Sequence, residues 1–223
     1  MINADFSLPI QIDTHSMPWE SSPMLGVSRR KLDRIGDEVA RATSIVRYAP
    51  DSYFSEHTHG GGEEFLVLEG VFSDEHGDYP AGTYVRNPIG SRHTPYSKDG
   101  CVIFVKLHQF ASDDSAQFSI NTRTSEFRPG VAPGLSVLPL HQHGTESCAL
   151  VRWAPQTHFA PHRHYGGEEI LVLEGVFSDE HGDYPAGTWL RSPHLSEHNP
   201  FSEQGCLIYV KTGHLLEQPG ASA

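Results

Sequence analysis

Residues Glu63–Tyr84 read EEFLVLEGVFSDEHGDYPAGTY, and 105 positions later Glu168–Trp189 read EEILVLEGVFSDEHGDYPAGTW, differing at only two places. The similarity runs without a gap over 44–106 and 149–211. Each copy has a short apolar run, then a polar turn (Glu75-His76-Gly77-Asp78, repeated at Glu180–Asp183) whose Gly supplies a left-handed backbone position. Phe65–Leu68, Val102–Leu107 and Leu207–Val210 are rich in the β-branched and aromatic residues that favour strands. Gly and Pro number 21 and 16 in 223 residues, and they punctuate the apolar runs about every ten residues, the pattern of a barrel or sandwich. The fold class read from these features is all-β. Since roughly 100 residues suffice for one core, the repeat makes two homologous barrels.

Working outward, the sequence places the N-terminal barrel at 1–112, the C-terminal barrel at 113–217 and a flexible tail at 218–223. The stretch 111–133 is polar and turn-rich, which suits a connector between them. Arg29–Ala42 carries Leu32, Ile35 and Val39 at helical spacing, but Gly36 interrupts it. The matching region of the second copy contains Pro139, which a helix interior does not tolerate. Both segments are read as strands.

Acids and imidazoles recur with the repeat: His57, His59, Glu63 and His93, then His162, His164, Glu168 and His198. Histidines two apart on a strand share a face, about 6.6 Å apart at the backbone, and can converge on one ion. Gly60-Gly61-Gly62 (Tyr165-Gly166-Gly167 in the second copy) reverses the chain and brings the glutamate to the same cavity. A divalent metal, one per barrel, is the cofactor that this donor set implies, with zinc or iron foremost and manganese or nickel also suited. Glu64 and Glu169 alternate away from the ligands and are expected at the surface or behind them. His76 and His181 fall in turns and are expected to be exposed, as are most of His141, His143, His158, His194 and His214, one or two of which would line the second site.

His-x-His, three residues, Glu, six residues, Gly is met by His57, His59, Glu63 and Gly70, and again by His162, His164, Glu168 and Gly175. Gly, five residues, Pro-x-Gly, two residues, His is met by Gly82, Pro88, Gly90 and His93. These spacings resemble the two motifs of the cupin superfamily, and the chain resembles a bicupin, a tandem of double-stranded β-helix (jelly-roll) barrels. The second copy departs once, with Leu195 in place of the motif glycine, and a different backbone there is expected to reshape the mouth of the second site. The GGEE-LVLEG-FSDE-GDYPAGT core and Asn87–His93 are similar to the cupin-like domain of ChrR-type anti-sigma factors. That resemblance implies a zinc-binding sensor or regulator acting through a protein partner in a sigma-factor pathway. The His-x-x-x-Cys-x-x-Cys zinc motif of the ChrR anti-sigma domain is absent from the sequence.

The alternative is a non-haem dioxygenase cleaving a small ketone or phenol, with Glu63 or Glu168 as a base and Phe65, Phe104 and Tyr209 as pocket walls. A metal serving structure alone is a third reading, disfavoured because a barrel of this size buries a core without one. The differences Tyr53/His158, Thr58/Arg163, Gly60/Tyr165 and Arg92/Glu197 lie beside the ligands, so the two pockets are expected to admit different things. No phosphate loop, nucleophile elbow or dinucleotide fingerprint occurs. A net charge of −12 argues against nucleic acid and anionic lipid as partners. Three cysteines without Cys-x-x-Cys spacing point to a reducing, cytoplasmic setting, and the equivalent Cys101 and Cys206 read as buried thiols. The N-terminus has no signal-peptide pattern and no apolar run reaches membrane-spanning length; the oligomeric state is not readable from the sequence, although barrels of this kind often pair through exposed sheets, as in a homodimer.

Overall fold

The computed structural model describes residues 1–215; the tail expected at 218–223 lies outside them. Among the described residues there is no α-helix, and the strands form two ten-stranded sheets, each with a separate two-stranded ladder beside it. Among the described residues no helix is long and apolar enough to cross a membrane. In the first unit the principal path of neighbouring strands is Phe118–Asn121, Thr83–Asn87, Glu63–Asp74, Cys101–Leu107, Arg41–Tyr48, Val27–Ile35 and Glu20–Ser21. In the second it is Ile10–Asp13, Thr188–Ser192, Glu168–Asp179, Cys206–Thr212, Glu146–Trp153, Leu135–His143 and Arg128–Pro129. Arg29–Ala42 is two strands and the turn between them, with Gly36 in that turn at φ +111°. In the matching strand Leu135–His143, the missing Pro139 donor is accommodated where the ladder shifts register between Pro139 and His141.

Period-two alternation gives each barrel an apolar interior. Val46, Tyr48, Phe65, Val67, Phe72, Val85, Ile103 and Val105 pack in the first, and Trp153, Ile170, Val172, Phe177, Tyr184 and Ile208 in the second. Tyr48 meets Phe72 edge-on at 5.6 Å, and the equivalent pair Trp153 and Phe177 meets at 5.5 Å. Each such side chain contributes about 1.5–3 kcal/mol by leaving water. The opposite faces of the same strands carry buried charge. Glu64 is not a surface residue: it accepts hydrogen bonds from the Tyr84 hydroxyl and from Arg86, each at 2.6 Å, and Arg86 also pairs with Asp114. Glu169, equally buried, lies 3.2 Å from His214. Phe104 and Tyr209 lie on these faces too, in alternation with the interior Ile103 and Ile208, so they are not walls of a pocket beside the histidines. All three cysteines are buried and free.

Two segments divide differently by contact than by the repeat. The compact units are Met1–Ala4 with Ser16–Ser125, and Asp5–His15 with the chain from Glu126 onward. Within the expected connector, Phe118–Asn121 is a strand paired antiparallel with Thr83–Asn87. Ile10–Asp13 pairs in the same way with Thr188–Arg191. Thr122 and Thr14 end these strands alike, the hydroxyl of each donating to the carbonyl of Gly82 or Gly187. The strand that precedes each repeat therefore completes the sheet of the other repeat. These strands correspond at an offset of 108 rather than 105 residues, and each offers only two inward apolar residues, too few to announce a strand.

Candidate metal centres

In the first unit, strands His57–Thr58 and Arg92–His93 pair antiparallel with His57 opposite His93. The turn at Gly60–Gly62 is held to glycine by crowding: a Cβ on Gly61 would strike His108, and one on Gly62, at φ +76°, would strike the Phe110 ring. It delivers Glu63 to the head of the long strand Glu63–Asp74, facing the histidines. Nitrogens or oxygens of His57, His59, Glu63 and His93 all lie within 4.8 Å of one another. The His59 and His93 Nε2 atoms each stand 3.4 Å from Glu63 Oε2. Two donors bound about 2.05 Å from one ion at a tetrahedral angle stand about 3.4 Å apart.

The ring tautomers follow from the hydrogen bonds. His57 Nδ1–H donates to the Ser55 carbonyl at 2.9 Å. The Ser91 hydroxyl donates to the Pro88 carbonyl, so its oxygen accepts from His59 Nδ1–H at 2.9 Å. His93 Nδ1–H donates to Asp74 at 3.1 Å. With every Nδ1 committed, each Nε2 is left to face a common point, where a neutral ring offers its lone pair. The His59 and His93 Nε2 atoms are buried without a hydrogen-bond partner, a costly arrangement that a cation would relieve. The residues fit a divalent metal.

The second unit repeats the plan with His162 opposite His198. His162 Nδ1–H donates to the Ala160 carbonyl at 3.0 Å, and His164 and His198 approach through their Nε2 atoms at 3.0 Å. Here only the three histidines fall within 4.8 Å of one another. Glu168 stands back, its Oε2 3.5 Å from His164 and 3.8 Å from His198. Leu195 does not reshape the backbone: it keeps φ +64° where Gly90 has +86°, and its N–H still donates to the His164 carbonyl, as that of Gly90 does to His59.

Burial lowers the basicity of His59 and of His162. Burial and the neighbouring His198 and His162 hold His164 down to about 3, so it is a neutral ligand at pH 7. Burial pushes Glu168 up to about 7. Burial also opposes charge on His93 and His198, but the hydrogen bonds to Asp74 and Asp179 and the nearby glutamates outweigh it and raise both. These aspartates, absent from the sequence-derived site, orient the distant histidine of each centre. Asp74 also accepts from the backbone of His76 at 2.8 Å and the Tyr79 hydroxyl at 3.3 Å. The signal for them was their place in the repeated FSDEHGD turn. His76, His181, His158 and His194 are exposed as expected; His214 is buried beside Glu169, away from the centre.

A cavity of about 540 Å³ adjoins the second centre, walled by Ile10, Ile170, Tyr184, Leu190 and Ser192, with Glu168 and His198 at its base. Of the differences noted beside the ligands, Glu197 lines this cavity; the others lie outside it, on exposed residues. Arg163 and Glu197, for instance, form an exposed ion pair at 2.8 Å, a contact that contributes little.

The model of the ChrR cupin-like domain family matches this chain twice, at residues 8–111 and 115–216. No curated protein matches it significantly. Among solved structures, a protein of Nostoc punctiforme named as a candidate dioxygenase is 14% identical with a TM-score of 0.79, over 96% of this chain and 85% of that one. YlbA of E. coli is 14% identical with a TM-score of 0.72, over 98% and 95%. A variant of Bacillus subtilis oxalate decarboxylase is 14% identical with a TM-score of 0.64, over 91% and 76%. At such identities the likeness is one of fold.

Proposed function

Because the chain belongs to the ChrR cupin-like domain family, we propose that it is a metal-binding regulatory protein, one divalent ion per barrel, acting through a protein partner. The observation that carries the metal reading is the convergence of His57, His59, Glu63 and His93, with two Nε2 atoms buried and unsatisfied at tetrahedral spacing from one carboxylate. His162, His164 and His198 would hold the second ion, with Glu168 a short movement away. Imidazole and carboxylate donors suit zinc or iron first, with manganese or nickel compatible. Zinc would give a charged, redox-silent centre; iron would add oxygen chemistry. The acidic chain, at −12, suits a partner with a basic surface. The family's regulatory setting makes a sigma-factor pathway the first place to look.

One observation favours a second reading, a non-haem dioxygenase for a small ketone or phenol: the cavity beside the second centre. There Glu168, pushed up to about 7, would be poised to take or give a proton at Oε2, while Ile170 and Leu190 would keep water from the apolar part of a substrate.

Elemental analysis of protein purified without chelator, followed by oxygen uptake and partner capture, tests both readings. Zinc in each barrel, no oxygen uptake after iron reconstitution and a specific basic protein partner support regulation. Iron with substrate-dependent oxygen uptake, lost in His162→Ala, supports the enzyme. A chain that retains no divalent ion refutes both.

A further inference from the structure

The two centres share their ligand types but not their surroundings. Three of the substitutions between the barrels fall where the second lines its cavity: Phe65 against Ile170, Val85 against Leu190, and Asn87 against Ser192. In the first unit the Phe65 ring is buried, 4.6 Å from Phe72 and 6.3 Å from Tyr79, and fills the interior behind the acid. Asn87 donates to Glu63 Oε2 at 3.2 Å and holds the carboxylate against the histidines. Four donors then surround the point of convergence, the number that closes a tetrahedral site. In the second unit the shorter Ile170 and Ser192 line the cavity of about 540 Å³. Glu168 stands slightly farther back than Glu63, outside the cluster of three imidazoles, and it and His198 border that cavity, so an outside donor can approach the centre as in an open site.

We infer that the first centre is closed and structural in character, whereas the second is an open centre that binds a small oxygen-donor ligand with a compact apolar body, of the phenolate or enolate class. This rests on the metal-binding reading. The ligand class comes from the walls. Ile10, Ile170, Leu190 and Pro193 offer apolar contact. The carboxylates of Glu168 and Asp179 in the wall disfavour ligands of multiple negative charge, while that of Glu197 is paired with Arg163. Arg191 alternates onto the opposite face of its strand from Ser192, where its guanidinium is stacked 4.0 Å over the Phe6 ring and donates to the Asp5 carbonyl. A single anionic or enolic oxygen would find its counter-charge only at the ion held by the histidines. The strand Ile10–Asp13 carries Ile10 and Gln11 into this wall, so the exchanged strand is part of the proposed site.

Full-length chain loaded with Co(II) and titrated with 4-nitrocatechol tests this, because the cobalt spectrum reports ligand entry independently of any turnover. Cobalt uptake at both barrels is expected in the wild type, with the spectra of cobalt and probe changing at a single equivalent of nitrocatechol. The response should persist in His57→Ala/His59→Ala and vanish in His162→Ala/His164→Ala. Ile170→Phe, which installs the side chain already accommodated in the other barrel, should keep its cobalt and bind the probe about tenfold more weakly or worse. A response at both centres, at the first alone, or at neither despite full cobalt loading overturns the inference while leaving metal binding intact. Failure to take up cobalt refutes the metal reading itself, and this inference with it.

Discussion

Asp74 and Asp179 offer a graded test of how the distant histidine of each centre is prepared. Asp74 lies 3.1 Å from His93 Nδ1, with both side chains almost wholly buried. Asp179 lies 3.5 Å from His198 Nδ1, at the limit of a useful hydrogen bond, with both side chains slightly more exposed. A carboxylate behind a metal-binding imidazole fixes the Nδ1–H tautomer and strengthens the Nε2 donor. Losing it typically weakens metal binding about 10–100-fold, or about 1.4–2.7 kcal/mol. Asp74→Asn keeps the shape and removes the charge, so it should fall well inside that range; Asp179→Asn should fall at its lower end, because its starting contact is longer. The assay is competition for Zn(II) against a chromophoric chelator at pH 7. It is run in backgrounds that leave one centre each, His162→Ala/His164→Ala for the first and His57→Ala/His59→Ala for the second. Asp74 also ties the His76 backbone and Tyr79 hydroxyl, so circular dichroism and metal-free thermal unfolding must show that the turn survives. If Asp74→Asn binds zinc within about twofold of its parent, or Asp179→Asn is the more damaging, the aspartates are turn caps and the argument from tautomers is wrong.

Three further outcomes follow from the same geometry. In metal-free protein His164, depressed to about 3, loses stability as pH falls below its unfolded value, whereas Glu168, raised to about 7, gains stability as pH falls from 7 toward its unfolded value. The two nearly cancel between pH 7 and 5, so Glu168→Gln should lose about 2 kcal/mol more than wild type over that interval; parallel urea-melt curves for the two would sink the assignment. Leu195, exposed and at φ +64°, carries left-handed strain, so Leu195→Gly should raise stability by about 1 kcal/mol, seen as a higher melting temperature. Gly70 and Gly175 sit at φ +70° and +72°, where an added Cβ would strike the carbonyl of Gly100 or Gly205. Gly70→Ala and Gly175→Ala should therefore each cost roughly 2–4 kcal/mol by denaturant titration, and a neutral result would mean the two turns yield easily.

What was legible in the chain was what short-range spacing encodes. The doubled stretch from Glu63 and from Glu168 gives two all-β units. His-x-His on a strand, a glycine turn and a glutamate bring three donors together, because alternation and a tight reversal are local properties. The same logic placed Glu64 and Glu169 on the far face, but not their burial, which depends on Arg86, Asp114 and His214 arriving from elsewhere. Three features belonged to tertiary structure alone. The strands Ile10–Asp13 and Phe118–Asn121 each join the other repeat's sheet, and a four-residue edge strand carries no sign of its partner, since ladder bonds are made by backbone groups that every residue has. Asp74 reaches His93 only once the barrel closes, across nineteen residues of chain. The Phe65/Ile170 difference reads in sequence as one conservative change between apolar strands. In the folded barrel that position borders the metal site, and the volume it gives up on one side separates a filled interior from an open cavity.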